Sequence, residues 1–304
     1  MGWIKLFRYF DETYVSGWSS TAMNKLGGFV RLMRPVNCVM MGFAVLVGAV
    51  LATSFGDLNW LNILAGFLTG FTFCAAAMVI NDYYDRNIDA INEPARPIPS
   101  GLIKTNEALA FMGALIVIGF GFAFWVSISC FIVAAISLLI TATYLTVGKR
   151  SGLPGNFLVS ACVAIPFIYG SIVATQTVGM NVVLFAAMAF LSNTGREITK
   201  GIVDTKGDSA EGIKTLAVRF GEKAAAVVAV AFYFFAVVLT PVTWFLGLVG
   251  FWFIPFVLVT DIGLLICSAL LIINPSRVRA KRIKNIVLFL FLVGLLAYIF
   301  GSFR

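Results

Sequence analysis

The sequence contains no histidine. That excludes His-ligated zinc or haem and a His general base, so a metal in this protein has to be held by oxygen. Cysteine is sparse: Cys38, Cys74, Cys130, Cys162 and Cys267 each lie inside an apolar block and form no CxxC pair. They read as small core residues, which excludes a disulfide framework or a thiolate metal site. Charge is also scarce. Only 12% of the residues are charged and 60% are hydrophobic, roughly half the charge fraction of soluble domains. A cleavable signal peptide is not expected either, because the opening GWIKLFRYF is short and mixed and the first long apolar run follows Pro35.

What is present is a series of long apolar blocks separated by charged loops. A spanning helix takes about 20 apolar residues, and nine stretches qualify: 36–54, 59–80, 107–125, 127–147, 156–175, 180–200, 223–244, 250–273 and 284–301. The expected fold is therefore all-α: nine transmembrane helices in one bundle, with a central cavity open to the cytoplasmic side. Spans three and four nearly touch, so their joint at Val126–Ser129 must be a tight turn. Residues 1–35 form a separate N-terminal segment in which Trp3, Ile4, Phe7 and Phe10 alternate with basic residues, which fits either a segment lying at the membrane interface or a loose tail. Residues 36–301 form the membrane domain.

The net charge of +8 does not point to nucleic acid, because its distribution is topological. Every basic residue except Arg304 falls in the N-terminal segment or in alternate loops. The positive-inside rule puts those loops and the N-terminus in the cytoplasm and the C-terminus outside. The acids share that side, apart from Asp57 and the mid-span Asp261.

Those acids form two clusters. The first lies in NDYYDRNIDAINEPARPIPSG, residues 81–101, where Asn81, Asp85 and Asp89 recur at a spacing of four. On a helix that spacing stacks three oxygen donors on one face, a turn apart. The second lies in REITKGIVDTKGD, residues 196–208: Asp204 and Asp208 are four apart, and Arg196 and Lys200 continue the face backwards. Carboxylates crowded in this way repel unless a cation sits between them. A hard cation such as Mg²⁺ suits oxygen donors and shares its shell with phosphate oxygens. Two clusters at one membrane edge would thus bind a diphosphate, with an apolar interior left for its hydrocarbon tail. An allylic prenyl diphosphate fits, since neutralising the leaving group promotes ionisation of its C–O bond.

At these residues the chain resembles the UbiA superfamily of intramembrane prenyltransferases. NDxxDxxxD is met by Asn81, Asp82, Asp85 and Asp89, NxPxRPIPSG by Asn92, Pro94 and Arg96 to Gly101, and DxxxD by Asp204 and Asp208. The resemblance implies nine transmembrane helices and Mg²⁺ held between the motifs by Asn81, Asp85, Asp89, Asp204 and Asp208, the four aspartates being the catalytic candidates. Arg34, Asn37, Asn81, Arg96, Tyr144, Lys149, Arg196 and Lys200 are the candidate substrate-binding residues. The family's Tyr-x-x-x-Lys is one residue longer here, between Tyr144 and Lys149. KRSGLPGN at 149–156 and the stretch from Gly195 to Gly221 further resemble the archaeal synthases that attach a geranylgeranyl chain to geranylgeranylglyceryl phosphate. The first motif also resembles that of chlorophyll-type synthases, which leaves aromatic and tetrapyrrole acceptors as alternatives. The implied partners are a prenyl diphosphate, a membrane-associated acceptor and the bilayer. Two rival classes rank lower. CDP-alcohol phosphotransferases need a DGxxAR run that is missing here, and transporters place their charges at the midplane, where this chain has Asp261 alone.

Overall fold

The structure, a computed structural model, describes residues 25–53, 55–210 and 212–302. The expected interfacial segment around Trp3–Phe10 lies outside the described residues. Among the described residues ten α-helices follow in order: α1 (Lys25–Met33), α2 (Pro35–Ala52), α3 (Trp60–Asn92), α4 (Thr105–Val126), α5 (Ile128–Thr146), α6 (Leu153–Thr175), α7 (Met180–Ala210), α8 (Leu216–Phe245), α9 (Phe253–Ile273) and α10 (Arg277–Gly301). There is no strand among the described residues, so the fold is all-α.

Eight of these helices, α2 to α6 and α8 to α10, are long and apolar enough to cross a membrane. The stretch 180–200, expected as the sixth of nine spans, begins α7. That helix runs on to Ala210 through the charged second motif, which dilutes its apolar character. Large apolar side chains such as Phe124, Trp125, Leu139, Phe245 and Ile273 point outward and are exposed. In water they would form an aggregating surface; in a bilayer they meet solvent of their own kind. The chain is a multi-pass membrane protein.

Local chemistry sets the helix ends. Asn59 starts α3 by accepting from the Leu61 and Asn62 amides at 3.1 and 3.2 Å. Ser127 is the joint expected between the third and fourth spans: it closes α4 and caps α5, its hydroxyl accepting from Cys130 N at 3.1 Å. Thr215 opens α8 by accepting from Val218 N at 3.4 Å. In α8, Pro241 has no N–H to give to the Val237 carbonyl. The Thr240 hydroxyl occupies that carbonyl instead, at 2.8 Å. Asp261, unassigned by sequence, reaches across from α9 to the same hydroxyl at 2.6 Å.

Helices α2 and α6 cross at two glycines. A Cβ on Gly48 would sit 2.0 Å from the Phe167 carbonyl oxygen, and one on Gly170 would sit 1.9 Å from that of Val45. The two backbones touch, as small residues permit in membrane helix pairs.

Candidate active site at the mouth of an apolar chamber

A chamber of about 430 Å³ opens among α2, α3, α5 and α6. Its walls are mostly apolar, including Met41, Phe73, Leu138 and Ile165, while Arg34, Asn81, Tyr144 and Lys200 converge at its mouth. The mouth exists because α3 does not stop where its apolar run stops. It continues to Asn92 and carries Asn81, Asp85 and Asp89 on one helical face, as their spacing requires.

The acids of α3 are paired with basic residues from elsewhere in the chain. Lys149, in the short turn after α5, donates to both oxygens of Asp85 at 2.7 Å. The Asn81 amide donates to Oδ2 of the same carboxylate at 3.1 Å. Arg96 donates to Asp89 at 2.6 Å and stands 3.6 Å from Asp82. Arg34 donates to Asp82 at 2.6 Å. Asp82 and Asp89 are nearly buried, so these partners compensate charges that burial would otherwise make costly. Arg34 can reach because it is the junction between α1 and α2, held in the left-handed region at φ 52.

The second motif lies on the C-terminal end of α7, with Asp204 and Asp208 on continuous helix. Here the expected cations turn elsewhere: Arg196 donates to Glu197 at 2.9 Å, and Lys200 approaches the other Glu197 oxygen at 3.4 Å. Lys284 of α10 stands within electrostatic reach of Asp204, Lys200 and Arg196. Among the described residues no three acidic or cysteine side chains are gathered tightly enough to hold a metal ion.

Of the residues expected at the site, Arg34, Asn81, Tyr144 and Lys200 line the chamber, and Asp85, Asp89, Arg96 and Lys149 form the paired network beside them. Asn37 is exposed and touches the chamber only through a 3.8 Å contact with Met78 Sδ. The extra residue between Tyr144 and Lys149 is absorbed by a 3-10 turn, Gly148–Arg150, so Tyr144 still lines the chamber while Lys149 reaches Asp85. Two participants escaped the sequence reading. Asp82 is part of the first motif but was given no role; its burial beside Arg34 makes it the anchor of the mouth. Glu197, an acid of the REITKGIVDTKGD run, pairs with Arg196 and Lys200.

The PARPIPSG loop is docked. Ile98 and Ile103 are buried, and Leu102 and Ile103 press against Gly28 of α1. Arg96 projects from this anchored loop back to α3.

The structure is thus an all-helical membrane bundle with an apolar chamber and with carboxylates and cations crowded at its mouth. The chain belongs to the UbiA prenyltransferase family, whose sequence profile it matches over residues 41–296, and it is a prenyltransferase. Its similarity extends over nearly its full length to curated proteins named digeranylgeranylglyceryl phosphate synthase. The protein from Methanocaldococcus jannaschii is 31% identical over 93% of this chain and 98% of its own, and that from Korarchaeum cryptofilum is 35% identical over 93% and 99%. A solved structure described as giving insights into the biosynthesis of digeranylgeranylglyceryl phosphate synthase in membranes superposes with TM-score 0.84 at 31% identity, covering 92% of this chain and 99% of that one. A UbiA homologue from Archaeoglobus fulgidus, solved with GPP and Mg²⁺, shares the fold at TM-score 0.61 and 18% identity, over 89% and 99% of the two chains.

Proposed function

We propose that this prenyltransferase moves a geranylgeranyl group from geranylgeranyl diphosphate to the free hydroxyl of geranylgeranylglyceryl phosphate, forming the second ether bond of an archaeal membrane lipid. The observation that carries this reading is the near full-length similarity, at 31 and 35% identity, to proteins bearing that name. The surplus of basic residues around the mouth supports it, since both donor and acceptor would bring phosphate.

Mg²⁺ suits the donor set. Asn81, Asp85 and Asp89 offer only oxygen and amide groups on one face of α3, Asp204 and Asp208 do the same on α7, and the chain has no histidine to favour a softer metal. These five residues would hold it, and when bound it would neutralise diphosphate oxygens and promote departure of the leaving group. Arg34, Arg96, Lys149 and Lys200 would bind the remaining phosphate oxygens and orient them at the mouth. Lys149 and Arg96 would then exchange carboxylate for phosphate. The prenyl tail would fill the apolar chamber, with its reacting carbon near Tyr144, whose ring face favours developing positive charge. The C–O bond to diphosphate breaks and the acceptor oxygen forms the new C–O bond. The hydroxyl proton passes to a carboxylate of the clusters or to the departing diphosphate. Arg196, near α7's second motif, would hold the acceptor's phosphate, and Asn37 the edge of the mouth. The positive-inside distribution of Lys and Arg supports a cytoplasmic mouth, an N-terminus inside and a C-terminus outside, with residues 1–35 as an attachment to the membrane domain 36–301.

The test is to offer labelled geranylgeranyl diphosphate and Mg²⁺ with geranylgeranylglyceryl phosphate, a quinone precursor and a tetrapyrrole acid, and to identify the product by mass. The diether phosphate is expected. A prenylated aromatic ring or tetrapyrrole as the main product would refute the lipid acceptor.

A further inference from the structure

We propose that the ring of Tyr169 is the floor of the chamber and sets the longest prenyl chain the enzyme accepts. The inference rests on the proposed reading that the chamber holds a prenyl tail. The length of the chamber can be read along α3: twelve residues separate Asn81 at the mouth from Thr69 at the deep end, about 18 Å at the rise of an α-helix. That is the order of an extended geranylgeranyl chain.

At the deep end the walls change character. Val45, Ala134 and Tyr169 line the chamber and also belong to a closed core cluster with Ala49, Cys130 and Ile172. Beyond them there is packed protein. Tyr169 is the one large side chain of the three, and it is 4% exposed. Its hydroxyl is buried beside Thr69 and Cys130. What the side chain contributes is a flat, rigid ring across the end of the chamber.

The floor cannot yield easily on the α2–α6 side, because Val45 and Tyr169 flank the backbone contact at Gly48 and Gly170. Removing the ring is the simple way to lengthen the chamber. Truncating Tyr169 opens space into which a further isoprene unit extends. In an apolar pocket a single methylene is worth roughly tenfold or more in discrimination.

The experiment measures affinity for farnesyl, geranylgeranyl and geranylfarnesyl diphosphate by calorimetric titration of the full chain in detergent with Mg²⁺. Binding needs no acceptor, so the result is independent of which acceptor is correct. The wild type is expected to prefer geranylgeranyl over geranylfarnesyl diphosphate by about tenfold. Tyr169→Ala and the milder Tyr169→Leu should erase or invert that ratio. Tyr169→Phe, which keeps the ring, should leave it unchanged. The floor is overturned if the wild type shows no preference between the two longer donors. It is equally overturned if a folded Tyr169→Ala or Tyr169→Leu protein keeps the wild-type ratio, or if Tyr169→Phe shifts it. Should Tyr169→Ala not fold, Tyr169→Leu decides. A wild type that binds no prenyl diphosphate at all refutes the proposed function instead.

Discussion

Helices α3 and α7 both run past the apolar layer and both carry acids four residues apart, yet they manage the charge differently. On α3 the acids draw cations from distant parts of the chain: Arg34 for Asp82, Arg96 for Asp89, Lys149 for Asp85. On α7 the nearby cations, Arg196 and Lys200, close onto Glu197 within their own helix. The contrast suggests a division of labour. The α3 side is tied into the architecture and would keep its shape without a bound ion. On the α7 side Arg196 and Lys200 are wired locally, and Lys284 of α10 is a cation within reach of Asp204.

Deleting a metal-binding carboxylate from either side should be the most damaging change. Asp85→Ala and Asp208→Ala are each expected to lower kcat at saturating Mg²⁺ by at least about a hundredfold, while size-exclusion behaviour stays normal. Near-normal turnover in either protein would show that the two motifs do not share one site. Chelation should separate the sides from the chemistry. Excess EDTA is expected to stop turnover yet leave the thermal midpoint nearly unmoved, because Lys149, Arg96 and Arg34 already balance the α3 acids. A large fall in the midpoint would mean that metal, and not these pairs, holds the mouth together.

Lys149→Ala should act next, raising KM for the donor by roughly tenfold through loss of one phosphate contact. Arg34→Ala strands the nearly buried Asp82 with the more distant Arg96. Because Arg34 is itself 36% exposed, the loss is discounted to about 1–2 kcal/mol, seen as a lower unfolding midpoint. The smallest effect is expected from Glu197→Gln, which frees two cations on α7. Affinity for phosphate-bearing substrate should rise a few-fold with the midpoint unchanged, and a large destabilisation would show that α7 is as architectural as α3.

The periodic features were legible in the sequence because they are local. The four-residue spacing from Asn81 to Asp89 required a continuous helix, and α3 supplies it. The near-contact of two apolar runs required a turn, and Ser127 makes it. The pairings were not legible. Lys149 and Asp85 are 64 residues apart and Arg34 and Asp82 are 48 apart, and nothing in a local pattern says which distant cation meets which acid. The PARPIPSG run announces turns but not its docking, which depends on Leu102 and Ile103 finding Gly28. Tyr169 was silent for the opposite reason: one aromatic in an apolar span has no local signature, and its place at the end of the chamber emerges only when four helices are assembled. The sixth apolar stretch marked where α7 begins but not its continuation to Ala210, because the helix outlasts the hydropathy that revealed it.

The glycine crossing of α2 and α6 has a consequence for how this chamber can evolve. Where backbones touch at Gly48 and Gly170, almost no substitution is tolerated, so the spacing of α2 and α6 is fixed. Variation that retunes the enzyme for longer, shorter or bulkier tails falls on the lining side chains, at positions such as Phe73, Ala77, Leu138 and Thr141 of α3 and α5 and the Tyr169 ring of α6. A library restricted to those few positions would sample most of the substrate range open to this scaffold.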